Sequence, residues 1–228
     1  MIAGLHIRKG VIFMKRKKIL LMAVLVIILI LLIHIIKNFI IIKKLQQNVT
    51  PYLSSMNYHV KSVSKESEGI TVTTNYYQKD HKQACFVEKD NNGHIIYIFM
   101  YSTGEKTNIF IESSNIKTAE LNVDTSINSL LYNYLQTNNG WQMLLTSVTS
   151  NIKISEYNNR ECYIIDNFFS TNTLNGIHQN EVYFEKISGL PVKEIVDKTV
   201  SEKEYEFNNV DDAIFIEPDI SEYTVQNN

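Results

Sequence analysis

The sequence has few of the residues from which catalytic and metal-binding sites are usually built. Only two of its 228 residues are cysteines, and its six histidines lack the spacing of metal ligands. CxxC, HExxH, GxSxG and phosphate-cradling Gly-rich loops are all absent. Acidic residues at Asp211-Asp212 and along Glu202–Glu206 lack the pattern of an EF-hand loop and are assigned to a turn and a strand face. We therefore expect no enzyme activity, no cofactor and no metal.

The shortage of cysteine also limits cross-linking. Cys85 and Cys162 lie 77 positions apart, each in a strand-like segment. Outside the cytoplasm the two thiols can form a disulfide, but cysteine is also among the most commonly buried residues. The sequence leaves both states open.

What the chain does have is one long hydrophobic run. Residues 19–36 are apolar except for His34, and a basic cluster, Lys15–Lys18, stands directly before them. A membrane-spanning helix needs about 20 apolar residues, and residues 39–42 extend the run past Lys37. No small-x-small site follows it, so the pattern indicates an uncleaved anchor over residues 19–42 that contacts the lipid bilayer, not a removable signal peptide.

The basic residues around the anchor predict its orientation. Four of them, at positions 15–18, precede the run, whereas Lys37, Lys43 and Lys44 follow it. The tighter cluster favours a single-pass cell-membrane protein with a cytoplasmic segment at residues 1–18 and an extracytoplasmic domain at residues 43–228. Lys9-Gly10-Val11 can be encoded as a ribosome-binding sequence, so translation from Met14 is one interpretation of residues 1–13. A short cytoplasmic tail is the other.

Charge is divided unevenly along the chain. Residues 1–44 contain nine Lys or Arg and no Asp or Glu, which leaves 13 basic and 24 acidic residues, a net charge of −11, for residues 45–228. An acidic surface of this kind argues against nucleic acid as a partner.

Beyond the anchor the periodicity predicts an α+β domain. Residues 39–53 keep helical spacing, and alternating segments then predict strands around a tight turn at Asn91-Asn92-Gly93. A pair of short helices follows, one starting at Asp124 or Ser126 and ending near residue 138, the other starting near Trp141. The segments with strand alternation are 58–60, 70–73, 84–88, 95–101, 108–111, 152–154, 162–165, 181–185, 192–196 and 204–207. Consecutive strands with few helices indicate a curled antiparallel sheet, and the absence of an internal repeat or a low-complexity linker indicates one domain.

Two local motifs carry a family resemblance. The turn from Glu185 to Val192 (EKISGLPV) contains a glycine, Gly189, that needs positive φ, and EYEFNNV from Glu204 precedes IEPD from Ile216. This order resembles the LolA/LppX-like outer-membrane lipoprotein carriers, and most closely their membrane-anchored Gram-positive type. The resemblance implies an incomplete β-barrel whose open side is covered by the short helical pair and whose apolar cavity holds acyl chains. Carriers are released from the membrane, whereas this chain is predicted to stay tethered.

Trp141, the only tryptophan, is the residue we select for a binding role. Trp141, Leu144 and Leu145 lie on one side of the second short helix and are predicted to line an apolar cleft, although ordinary core packing accounts for the same pattern. The first functional hypothesis is an anchored binding protein for a lipid, lipopeptide or lipoprotein acyl chain. The alternative is an envelope scaffold or stress-sensing regulator that recognises a protein partner through its sheet. A pilin-like subunit is disfavoured because the prepilin processing junction is absent.

Overall fold

The computed structural model begins with one long helix and continues into a broad sheet. It describes residues 3–66, 68–104, 106–114, 116–127, 140–166 and 180–226. Helix α1 (Ala3–Leu53) is unbroken over 51 residues. Its stretch Lys18–Leu53 is the one segment in the described residues that is long and apolar enough to cross a membrane.

The N-terminal and C-terminal parts of α1 lie in different surroundings. The apolar side chains of residues 19–36 are exposed, except that of Ile35, which is half-buried. Further along, Ile42, Leu45 and Val49 are 0–3% exposed and follow the spacing that places side chains on one stripe of a helix. This stripe packs on the sheet, and burial already begins at Asn38. The helix predicted after the anchor is therefore confirmed and is continuous with it.

Twelve strands form one sheet in the described part of the chain. They are β1 (Asn57–Lys65), β2 (Ile70–Lys79), β3 (Lys82–Asn91), β4 (His94–Ser102), β5 (Thr107–Ser113), β6 (Ile116–Val123), β7 (Asn151–Tyr157), β8 (Arg160–Asp166), β9 (Asn180–Glu185), β10 (Pro191–Val196), β11 (Thr199–Phe207) and β12 (Thr224–Gln226). β1–β6 and β7–β11 are antiparallel meanders joined where β11 pairs with β1, and β12 lies parallel to β6. The α+β class with a curled, open and mainly antiparallel sheet is confirmed.

Each strand segment named from the sequence lies within one of these strands, whereas β6 and β12 were not predicted. The tight turn between β3 and β4 is confirmed, because Asn91 pairs with His94 across a two-residue loop. Asn92 and Gly93 in that loop have φ of 52° and 90°, as a two-residue hairpin turn requires.

Of the two short helices predicted from the sequence, the second lies within the described residues. It is confirmed as α2 (Gly140–Thr149), between β6 and β7. The first predicted helix falls largely on residues 128–139, which lie outside the described residues. Ile127, just before them, is buried against the sheet.

The sheet has two apolar clusters, one on each face. The inner cluster lies on the face that α1 covers, and it contains Ile42, Leu45, Val49, Tyr58, Val60, Tyr76, Cys85, Ile127, Met143, Ile152, Tyr163, Ile165, Val182, Phe184 and Leu190. The outer cluster contains Ala84, Tyr101, Phe110, Ala119 and Tyr223. Neighbours along one strand, such as Ala84 and Cys85, belong to different clusters because successive side chains of a strand point to opposite faces.

The C-terminal segment covers the outer face of β2–β6. After β11 the chain passes through 3-10 turns at Asp212–Phe215 and Ile220–Glu222 before it adds β12 beside β6. Tyr223 packs on Phe110 with ring centroids 5.1 Å apart and donates a 2.5 Å hydrogen bond to Glu112. Lys79 and Lys82 hold Asp212 at 2.7 and 3.4 Å.

The two cysteines are not bonded. Cys85 is on β3 in the inner cluster, and Cys162 is on β8 next to Tyr163, whose side chain is in that cluster. Cys162 therefore points to the outer face, and six strand positions separate β8 from β3. A disulfide requires Cα atoms within about 7 Å, so this geometry excludes the bond.

Candidate functional site

The inner face of β3–β5 carries a patch of aliphatic side chains. Strand register places Val87, Ile98 and Ile111 side by side across the three strands. Met100 and Ile109 form a second row on the same face, and Ile96 extends β4. We call these six residues the aliphatic patch. All six are half-buried, unlike the inner-cluster residues, which are buried.

The patch is an extension of the inner cluster. Val87 and Met100 pack directly against that cluster, and Cys85 lies beside them on the same face of β3. Burial raises the pKa of the Cys85 thiol to about 11, because a thiolate is poorly solvated in apolar surroundings. The protonated thiol acts as a small apolar group and not as a nucleophile.

On the β10–β11 side the inner face becomes polar. Lys203 is buried, and its Nζ lies 3.7 Å from the carboxylate of Glu194. Burial lowers the pKa of Lys203, while the Glu194 carboxylate opposes that shift. Ser64 and Ser201 exchange a 2.7 Å hydrogen bond on the same strands. These polar groups occupy part of the inner face on β1, β10 and β11, whereas the inner cluster continues on β7–β9 and the aliphatic patch lies on β3–β5.

A small polar recess lies beside this region. It has a volume of about 50 Å³ and is lined by Tyr157, Asn158, Arg160, Val192, Glu202, Lys203 and Glu204. A cavity of this size holds a few waters and is too small for an acyl chain. The recess is therefore a poor candidate for the binding site that the sequence predicts.

Leu144 and Leu145 lie on the exposed side of α2. They are 39% and 41% exposed and belong to neither apolar cluster, whereas Met143 is buried in the inner cluster. The side chain of Trp141 lies outside the described residues, although its backbone is in α2. Their predicted role as ligand contacts stays a prediction, and the structure adds the aliphatic patch, which sequence reasoning missed. The alternation of β4 and β5 was the available signal, but it does not show which face remains accessible.

Asn38 joins α2 to α1. Its buried Nδ2 donates to the carbonyl oxygens of Ser147 and Ser150 at 3.0 and 2.9 Å. The same nitrogen lies 3.1 Å from Nε2 of His34, one turn earlier in α1. These carbonyls belong to the C-terminal end of α2, where backbone acceptors have no partner within the helix. Asn38 therefore fixes that end of α2 against α1.

The predicted glycine turn is confirmed and makes a second contact with α1. Gly189 has φ of 72°, and its N–H donates to the carbonyl of Glu185 at 2.8 Å. A Cβ at this position would lie 2.4 Å from the carbonyl oxygen of Leu45 and 3.0 Å from the nitrogen of Val49. Glycine is thus required here both for its backbone conformation and for the close approach of the helix.

Comparisons with known proteins give little further information. No protein-family model matches the chain, and no curated protein matches it. Among solved structures the chain is similar to the crystal structure of a DUF1329 family protein from Desulfovibrio piger, with a TM-score of 0.31 and 10% identity, covering 80% of this chain and 97% of that one. At so low a TM-score the likeness carries no argument about function.

Proposed function

We propose that this chain is a membrane-anchored binding protein, not an enzyme, and that it holds a lipid or the acyl chain of a lipoprotein against the aliphatic patch. The observation that carries the proposal is the patch itself. Six aliphatic side chains share one face, stay half-buried and continue an otherwise buried cluster. A partly exposed apolar surface of this kind, next to a well-packed core, is typical of ligand-binding and interaction sites.

The chemistry of the patch suits an unbranched hydrocarbon. Burial of an acyl chain contributes about 0.8 kcal/mol for each CH₂ removed from water. The patch itself contains no charged side chain, and the register places Lys89 opposite Ile96 and Glu120 opposite Ile109 at its edges. The LolA/LppX-like motifs support the same ligand class, since that family encloses acyl chains. A permanent anchor favours holding a ligand at the membrane over carrying it away.

The orientation is part of the proposal. The N-terminus is cytoplasmic and residues 43–228 are outside, because the denser basic cluster at residues 15–18 precedes the anchor. Protease added to intact protoplasts should then degrade the domain, with detergent-lysed cells as the control. Complete protection in intact cells, with degradation after lysis, would place the domain in the cytoplasm.

The binding test uses the full chain in lipid nanodiscs with a diazirine-bearing fatty acid. After photolysis, peptide mass spectrometry should show cross-links in β3–β5 as well as in the apolar part of α1. Excess palmitate should compete for the β3–β5 cross-links. Ile98→Asn should reduce them several-fold, because it places an amide at the centre of the patch.

Ile95→Asn is the matched control. Ile95 is on the same strand and 37% exposed, but it pairs with Asp90 on the outer face, so its substitution should leave the cross-links unchanged. Labelling confined to α1 in the unsubstituted protein would reject the patch as a lipid site. Equal loss in both variants would show that the effect is not specific to the inner face.

A second candidate function is the scaffold, which one observation favours. β7 is the last strand in the sheet order of the described residues, and its Ile154 is exposed. A partner strand can add to such an edge through backbone hydrogen bonds. In that case Ile154→Lys should abolish partner capture and leave fatty-acid cross-linking intact.

A further inference from the structure

Apart from Met143, which packs in the inner cluster, helix α2 buries its polar side and exposes its apolar side. Thr146, Ser147 and Ser150 at its C-terminal end are buried at 0–2% exposure. Leu144, Leu145 and Val148 on the other side are 39%, 41% and 49% exposed. A surface helix in water normally shows the reverse arrangement, with its apolar stripe on the core.

The sequence around α2 has no charge. Residues 125–152 contain no Asp, Glu, Lys or Arg, although the domain as a whole is strongly acidic. Charged side chains keep exposed helices in water, and they are costly in hydrocarbon. Their absence over 28 residues removes the main barrier to contact with lipid.

Several polar groups at the C-terminal end of α2 are paired within the protein, whereas the buried hydroxyl of Thr146 has no hydrogen-bond partner. Ser147 donates to the carbonyl of Met143 at 2.6 Å, and Thr149 donates to that of Leu145 at 2.7 Å. The carbonyls of Ser147 and Ser150 accept from Asn38. Backbone and hydroxyl groups that are paired in this way need no water, as the low-dielectric part of a bilayer requires.

The contact with Asn38 sets the depth of α2. Residues 19–36 span about 27 Å at 1.5 Å per residue, close to the roughly 30 Å of a hydrocarbon core. Asn38 therefore stands at the level where the headgroup region begins, and Ile42, in the later apolar stretch 39–42, already packs on the sheet. The C-terminal end of α2 is fixed at that level by its two hydrogen bonds from Asn38.

We infer that α2 lies in the interface of the bilayer leaflet on the side of the domain, with Leu144, Leu145 and Val148 among the acyl chains. The inference rests on the proposed membrane anchoring but not on the proposed ligand. It commits to lipid as the occupant because Asn38 holds α2 at the end of the exposed apolar run of α1 and because the sequence around α2 has no charge. The domain then rests on the membrane through two elements.

The test measures the surroundings of single spin labels in the full chain, reconstituted in vesicles of phosphatidylcholine and phosphatidylglycerol. Labels are attached to Leu145→Cys, Ile36→Cys and Ile216→Cys in separate variants. The native Cys85 and Cys162 are buried, so brief labelling at neutral pH selects the introduced thiol. Ile216 is a matched aqueous control because it is apolar and 72% exposed. Its neighbour Glu217 accepts a hydrogen bond from Asn108. Asn108 lies near the end of the sheet at which α1 ends, so Ile216 is at the end of the domain away from the anchor.

Collisions with oxygen, which concentrates in bilayers, are compared with collisions with a water-soluble nickel chelate. The label at position 145 should favour oxygen as the label at position 36 does, and the label at position 216 should favour the chelate. Val148→Cys should repeat the result if position 145 alters the fold.

Chelate-dominated collisions at positions 145 and 148, with oxygen-dominated collisions at 36, would overturn the inference while the anchor stands. Labels at 145 and 148 that neither reagent reaches would show a protein cover and also overturn it. A chelate-accessible label at position 36 would reject the anchoring and this inference together.

Discussion

The two ends of the sheet bury opposite faces. β1 and β7–β9 contribute buried residues to the inner cluster beneath α1, β4–β6 contribute them to the outer cluster beneath the C-terminal segment, and β3 between them contributes Cys85 to the first and Ala84 to the second. Both ends use the same alternation of side chains. The two ends differ in which segment covers them, α1 on the inner face or the C-terminal segment on the outer face. The aliphatic patch lies on the inner face at the edge of the area that α1 covers. Whether an apolar strand residue becomes part of the core or stays accessible to a ligand therefore depends on segments that are distant in the sequence.

The largest expected effect is on the approach of α1 to the part of the sheet that it covers. Gly189→Val should lower the free energy of unfolding by about 2–5 kcal/mol, because positive φ is strained for a branched side chain and the Cβ would meet the α1 backbone. Thermal unfolding of the full chain in detergent micelles, followed by circular dichroism, measures it.

Gly93→Val, in the turn between β3 and β4, is the control. Gly93 has φ of 90°, but a Cβ there would meet nothing within 4 Å, so only the conformational cost of about 1–2 kcal/mol applies. Equal shifts in the two variants would show that the contact with α1 contributes nothing.

Two isoleucines on the inner face, one in the inner cluster and one in the aliphatic patch, test this difference directly. Ile165, on β8, is buried completely, and Ile165→Ala should lower the free energy of unfolding by about 2–4 kcal/mol. Ile98, in the aliphatic patch, is half-buried, and Ile98→Ala should cost about 1 kcal/mol. Denaturant titration of both variants gives the values. If Ile98→Ala is as destabilising as Ile165→Ala, the patch is ordinary core and the binding proposal fails.

The junction between α1 and α2 should contribute less. Asn38→Ala removes two buried hydrogen bonds to α2 and should cost about 1–3 kcal/mol. Asn48→Ala removes a single, partly buried bond to the carbonyl of Lys186 and should cost about 1 kcal/mol. Hydrogen exchange of residues 143–150 should rise in the first variant and remain unchanged in the second. Unchanged exchange in both would contradict the role of Asn38.

The smallest effect concerns the cover of the outer face. Hydrogen bonds from Lys79 and Lys82 lower the pKa of Asp212 below its usual value of 3.8. A carboxyl with a lowered pKa stabilises the fold above its unfolded-state pKa, and this contribution is lost as pH falls through the folded-state pKa. The decrease in thermal midpoint between pH 5 and pH 2 should therefore be slightly smaller in Asp212→Asn than in the unsubstituted protein. Identical decreases would show that the pair does not hold the C-terminal segment.

Local patterns predicted most of the strands, because alternation of side chains is a local property. β12 was missed because its three residues form a strand only by pairing with β6, about a hundred positions earlier. β6 itself was missed because charged and small residues interrupt its apolar pattern.

The candidate site was less predictable for the same reason. Helical spacing identified the apolar side of α2 correctly, but Asn38, 109 positions before Ser147, decides which side is buried. For Gly189 the sequence predicted the positive φ, and the contact with Leu45 became visible only in three dimensions.

In the proposed membrane anchoring, the continuity of α1 couples the domain to the thickness of the bilayer. A helix adjusts to a thinner or thicker membrane by tilting, and no loop separates the apolar part of α1 from the part that packs on the sheet. Residues 38–53 extend about 24 Å, so a change of about 20° in tilt would displace their far end by roughly 8 Å. A small change in lipid composition would then produce a large displacement of the sheet relative to the membrane.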